Sequence, residues 1–233
     1  INKSLTLKGA KAGVDARHRS VGGGETVIDP GDPGGGQPKS WVIRVRASNV
    51  TIDGFTIQNP TLQYGSAGLI DITGDWNNLQ VLNNILQQPG VETSHSTNWG
   101  KFGINVEGPS NVVIEKNYFR DILCDTATPW NATCAIWPSG SLSITIRHNK
   151  IENATTFGIG LSQGNNRVTI IGNEITLGTQ GESAEPSKTT AGVRVGVGND
   201  NVTIEDNLIY NCPGTTAQPA AGITIQNGAN NNI

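Results

Sequence analysis

One short pattern recurs along this chain. It reads NVTIDGFTI from Asn49, NLQVLNNIL from Asn78, NVVIEKNYF from Asn111, SITIRHNKI from Ser143, RVTIIGNEI from Arg167 and NVTIEDNLI from Asn201, and SLTLKGA from Ser4 is a degenerate earlier copy. The first apolar residues of the copies, Val50, Leu79, Val112, Ile144, Val168 and Val202, are spaced by 24 to 34 residues. A second motif interleaves with the first: SWVIRVRA, GLIDITG, FGINVEG, CAIWPSG, FGIGLSQ, AGVRVGV and AGITIQN. Both alternate apolar and polar positions, so each repeat reads as two short strands joined by turns. Such a unit cannot bury its apolar face alone and must stack on its neighbours.

A period of this length, all strand and turn with no helical pattern between copies, predicts an all-β fold: a single-stranded, right-handed parallel β-helix (solenoid) of about seven coils. A leucine-rich repeat would carry its Leu-x-x-Leu-x-Leu signature, and a propeller would need about 40 residues per blade. The 30 glycines and 5% aromatic content suit many strands joined by tight turns. Residues 1–233 read as one β-helix domain.

Stacked coils bring equivalent repeat positions into columns at roughly 4.8 Å spacing. Three columns are apolar and inward. The first holds the six residues named above, the second Ile52, Val81, Ile114, Ile146, Ile170 and Ile204, and the third Ile57, Leu86, Phe119, Ile151, Ile175 and Ile209. Five residues after the first column come Phe55 and then Asn84, Asn117, Asn149, Asn173 and Asn207, an asparagine ladder of stacked inward amides at a turn. Nearly all length variation falls at one corner, giving loops at about residues 58–66, 87–101, 120–133, 176–190 and 210–220. Variable loops on one edge of a rigid scaffold are where binding and catalysis usually sit.

Strict alternation along the second strand predicts two outward columns. One reads Arg44, Asp71, Asn105, Trp137, Gly160, Arg194, Thr224, and the other Arg46, Thr73, Glu107, Ser139, Ser162, Gly196, Gln226. Carboxylates, arginines and an indole make a polar groove with an aromatic platform, which suits a polysaccharide. The loops add Tyr64, His95, Trp99 and Trp130. The competing reading is an ordinary solvated face with scattered loop aromatics. For catalysis, Asp71 and Glu107 would stand about 8 Å apart between Cα atoms, within the roughly 6.5–9.5 Å of inverting glycosidases. Alternatively Asp71, Asn105 and Glu107 offer oxygen ligands to Ca²⁺, with an arginine such as Arg194 as base for β-elimination on a uronate.

The formal net charge of −3, from 16 Lys and Arg against 19 Asp and Glu, gives no reason to expect nucleic acid or an anionic membrane as partner. No apolar run approaches the roughly 18 residues of a membrane span. Cys124 and Cys134 bracket the loop CDTATPWNATC, and a disulfide there would order the segment that carries Trp130; Cys212 is left over, and other pairings or three free thiols stay open. His18, His95 and His148 show no ligand spacing with the cysteines.

The opening INKSLTLKGAKAGVDARHRS, followed by ETVID and ASNVTIDGFTI, resembles that of bacterial extracellular right-handed β-helix proteins, and FGIGLSQGNNRVTIIGNEI resembles the NosD-like and carbohydrate-binding β-helix repeats on a pectate-lyase-like scaffold. The resemblance covers the whole chain and implies a secreted or cell-surface, glycan-facing protein. In such relatives a first coil and an amphipathic capping segment precede this opening, so the chain reads as a fragment lacking its N-terminal cap and C-terminal coils, with end-to-end self-association of its open ends an expectation. The WIDH, NTD, GHG, RIK and YGFDPH stretches of the enzymatic β-helix families do not occur. Three functions remain open: a polysaccharide-binding β-helix, a polysaccharide lyase or glycoside hydrolase acting on an acidic glycan, and a structural stalk or adhesin without catalysis.

Overall fold

The computed structural model describes residues 1–20, 22–31, 41–58, 67–87, 101–123, 133–178, 190–212 and 220–226. They form three parallel sheets of seven strands each. The first sheet holds Leu5–Lys8, Val50–Asp53, Asn77–Leu82, Ser110–Glu115, Leu142–Arg147, Asn166–Ile171 and Asp200–Glu205. The second holds Thr26–Ile28, Phe55–Gln58, Ile85–Gln87, Tyr118–Arg120, Lys150–Ala154, Glu174–Leu177 and Leu208–Tyr210. The third holds Trp41–Val45, Ala67–Thr73, Lys101–Glu107, Cys134–Ser139, Phe157–Leu161, Thr190–Val195 and Ala220–Ile225. The chain visits the sheets in turn, and each strand pairs with the equivalent strand of the coils before and after it.

Each coil therefore has three strands where the sequence pattern suggests two. The segment read as one strand, NVTIDGFTI, is broken at Gly54, which adopts φ +81°. Asn83, Lys116, His148, Gly172 and Asp206 occupy the same corner with φ of 52°, 54°, 53°, 63° and 52°. A left-handed residue costs a non-glycine side chain about 1–2 kcal/mol, so the corner persists only because its surroundings hold it.

What holds it is the asparagine that follows. The backbone N–H and Nδ2 of Asn84 both donate to Asn117 Oδ1, at 2.9 and 3.1 Å. Asn117 donates in the same way to Asn149, Asn149 to Asn173 and Asn173 to Asn207. The second Nδ2 hydrogen goes to a backbone carbonyl of the preceding coil, such as Ile114 O at 2.9 Å from Asn149. Each buried amide in the middle of the row thus uses both donors and both acceptor sites. A shorter row that sequence inspection missed stands at another corner: Ser141 N donates to Asn165 Oδ1 at 3.1 Å, and Asn165 Nδ2 donates to Asn199 Oδ1 at 2.7 Å.

The three apolar columns lie inside. Val112, Ile114, Phe119, Ile146 and Ile151 are among the fully buried side chains of one continuous core. Across the first corner runs an N-terminal strap: Gly9 N donates to Asp53 O, Lys11 N to Gly54 O and Ala16 N to Lys116 O. A Cβ on Gly54 would come within 2.0 Å of Ala12 N, so the strap needs glycine there. It continues through the 3₁₀ turn Ala16–His18, and the buried Arg19–Glu25 pair at 3.6 Å follows.

Replacing Asn149 by alanine would leave the Asn117 amide groups without an acceptor and Ile114 O without a donor. At about 1–3 kcal/mol per buried unpaired group, urea unfolding is expected to show a loss of about 3 kcal/mol or more. Asn166→Ala, which removes only an outer amide contact from Asn201, should stay within about 0.5 kcal/mol of the parent.

Candidate functional site

The third sheet departs from strict alternation. Leu69 and Ile70 are consecutive, both fully buried and both part of the solenoid core, as are Ala135 and Ile136 in a later coil. Two successive inward residues require a local bend, and glycine occupies the first position in several coils. A Cβ at Gly103 would meet the Phe119 ring at 2.8 Å, one at Gly158 would meet Ile175 Cγ2 at 2.5 Å, and one at Gly192 would meet Ile209 Cγ2 at 2.3 Å. The bend turns the preceding residue outward. Trp41, Phe102, Cys134, Phe157 and Ala191, which alternation would send into the core, instead form a second apolar cluster with Trp137, separate from the core.

The rings of this cluster make a row along the solenoid axis. Trp41 and Phe102 stack at 6.2 Å between centroids with planes 8° apart, Phe102 and Trp137 lie at 5.8 Å, and Trp137 and Phe157 at 6.5 Å. Register puts Gly160 next to Trp137, since Ile136 pairs with Ile159. A Cβ there would come within 2.8 Å of the indole, so the missing side chain is what lets the ring lie over the next coil. The Arg194 guanidinium then sits 6.0 Å from the Trp137 ring and 5.3 Å from the Phe157 ring. Phe102 and Phe157 are 7% and 4% exposed, whereas Trp41 and Trp137 keep part of their surface open.

Beside the row lies a closed polar network. Asp71, only 4% exposed, accepts from Arg46 Nη2 at 2.8 Å, Thr73 Oγ1 at 2.7 Å and Asn105 Nδ2 at 3.1 Å. Arg46 Nη1 also reaches Val45 O at 2.9 Å. A buried carboxylate persists only when paired and hydrogen-bonded, and here both conditions are met. Both Asp71 oxygens are therefore engaged, and the guanidinium supplies the positive charge that Ca²⁺ would bring. Of the suggested calcium ligands, Asp71 and Asn105 come together through the Asn105 amide nitrogen. Glu107 pairs with Thr73 in register but its side chain is exposed, and Arg44 is exposed as well. Among the described residues no cluster of three His, Cys, Asp or Glu could hold a metal ion.

Cys124, the partner expected for Cys134 in a disulfide, lies outside the described residues. Cys134 is a free, fully buried thiol inside the aromatic cluster, its sulfur filling the space above Gly160, where a Cβ would meet it at 2.6 Å. Burial pushes its pKa up, with Arg194 opposing, so it stays neutral. Cys212 is also free. Cys124, Tyr64, His95, Trp99 and Trp130 lie outside the described residues, as do most of the loop segments. The sequence reading named Trp137, Arg46, Asp71 and Asn105 but missed Trp41, Phe102 and Phe157. The signal available was the glycine that follows the phenylalanine in FGINVEG and FGIGLSQ.

Sheets stacked coil on coil, with a decorated outer face, define a parallel β-solenoid repeat protein. The sequence matches the right-handed β-helix region over residues 42–188 and again over residues 90–233, and the chain belongs to that family. No curated protein matches it. Among solved structures it is similar to that of DFA-IIIase from Arthrobacter chlorophenolicus A6 in complex with GF2, at 10% identity and a TM-score of 0.41 over 82% of this chain. The match spans 50% of the length of that structure.

A double-mutant cycle with Asp71→Ala and Arg46→Ala is expected to give a coupling energy of about 1–2 kcal/mol in thermal or urea unfolding. The exposed Arg147–Glu115 pair, at 2.8 Å, should give less than about 0.5 kcal/mol.

Proposed function

We propose that the outer face of the third sheet binds a polysaccharide laid along the solenoid axis. The observation that carries this reading is the row Trp41, Phe102, Trp137 and Phe157, an apolar cluster outside the solenoid core whose two indoles keep part of their surface open. Sugar rings present apolar C–H faces that pack on aromatic rings, and their hydroxyls need fixed donors and acceptors beside those rings. Thr73, Asn105 and the Arg46 guanidinium supply such groups, held in place by Asp71. In this reading Asp71 positions its neighbours and is not a proton carrier. A binding face whose buried carboxylate is already paired therefore accounts for the network better than hydrolysis or elimination does.

Isothermal titration against a panel of soluble polysaccharides, with and without Ca²⁺, tests the proposal. At least one glycan should bind without product release. Trp137→Ala should weaken it about tenfold, the loss expected for one aromatic stacking contact, while Arg147→Ala on the first sheet should leave affinity unchanged. Release of shortened or unsaturated sugars, or equal affinity in the Trp137 variant, would count against it.

A further inference from the structure

Resting on that reading of the face, we infer that its ligand carries an anionic group, a carboxylate or a sulfate, and that Arg194 selects for it. The inference starts from how the arginines are neutralised. Arg46 is paired with Asp71, Arg147 with Glu115 and Arg17 with Asp15. Arg44 and Arg167 are exposed, and water solvates them. Arg194 differs from both groups. It is partly buried against two aromatic rings, and no carboxylate among the described residues pairs with it.

Its hydrogen bonding is also incomplete among the described residues. Nη2 donates to Gln226 Oε1 at 3.0 Å, which uses one of the five N–H groups of a guanidinium. Cys134, the titratable group that interacts with it electrostatically, is neutral and gives no counter-charge. Glu107, the exposed carboxylate of this face, stands on a strand three positions away in the sheet order. At the standard strand spacing that is about 14 Å, beyond the roughly 8 Å screening length at physiological salt. Removing part of the water shell from an unpaired charge is unfavourable, and burial holds the Arg194 pKa below its usual value accordingly. A bound anion would remove that cost. The planar fork also matches a carboxylate or sulfate in bidentate geometry, while the open part of the neighbouring Trp137 ring receives the sugar face.

The test uses three probes: a short oligouronide, the same oligosaccharide after reduction of its carboxyl groups, and a sulfated neutral oligosaccharide. Affinity is read by titration of intrinsic tryptophan fluorescence at low and high salt. The wild-type protein should bind at least one anionic probe more tightly than the reduced one, with affinity falling as salt rises. Whichever anion binds, uronate or sulfate, identifies the source of the charge. Arg194→Gln should weaken that binding about 10- to 100-fold, as for loss of a hydrogen bond to a charged group, and should leave the reduced probe nearly unaffected. Arg194→Lys, which keeps the charge and loses the fork, should fall between.

Unchanged melting temperatures in both variants separate these effects from misfolding. If the reduced probe binds as tightly as the anionic ones and Trp137→Ala weakens all of them alike, the inference about Arg194 fails while the glycan face stands. If no probe binds and Trp137→Ala changes nothing, the glycan reading fails with it.

Discussion

The structure depends on one constraint: each coil must present the next with the same hydrogen-bond register, because a parallel strand has no other partner for its backbone. The asparagine row enforces that register. An amide that donates to a carbonyl of the preceding coil and to the amide of the next, while its own oxygen accepts two N–H groups, fits only when consecutive coils are aligned at that corner. A one-residue slip would turn every inward side chain outward, and the buried amides would lose their partners together. The left-handed residues before each asparagine, including Lys116 and His148, show how strongly that alignment is imposed.

The same rigidity makes the third sheet useful. Its strands repeat in register from coil to coil, so side chains from different coils line up in rows instead of scattering. The bend at Leu69–Ile70 and its equivalents shifts one column from inside to outside and thereby creates the row of rings. Core and outer face are thus coupled: the glycines that let the chain bend around Phe119, Ile175 and Ile209 are what send Phe102 and Phe157 outward. Arg194 lies on this face against the Trp137 and Phe157 rings, with no carboxylate partner among the described residues.

Much of this is legible in the residues. The apolar columns, the asparagine row and the adjacency of Asp71 with Asn105 follow from a repeat spacing read at fixed offsets, since equivalent positions in a solenoid are neighbours by construction. Less legible was the division of each coil. The turn beside the asparagine row is legible, but that Gly54 and Asn83, with positive φ, divide the stretch into strands of two different sheets is not. The carboxylates were read as candidate chemistry because they are carboxylates. That Asp71 is closed off by Arg46, Thr73 and Asn105 depends on side-chain directions that spacing does not contain. That the Cys134 sulfur lies in the aromatic cluster above Gly160 likewise depends on packing between coils.

The amino-acid sequence by itself determined the architecture, because a repeat that cannot bury its apolar face alone has stacking as its one solution. The family match agrees with that derivation. The tertiary structure alone decided which face carries the row of rings, which carboxylate is neutralised and which partly buried arginine has no carboxylate partner among the described residues. Alternation is a property of an ideal strand, and the bends that break it are set by how neighbouring coils pack, through contacts between residues far apart in the chain.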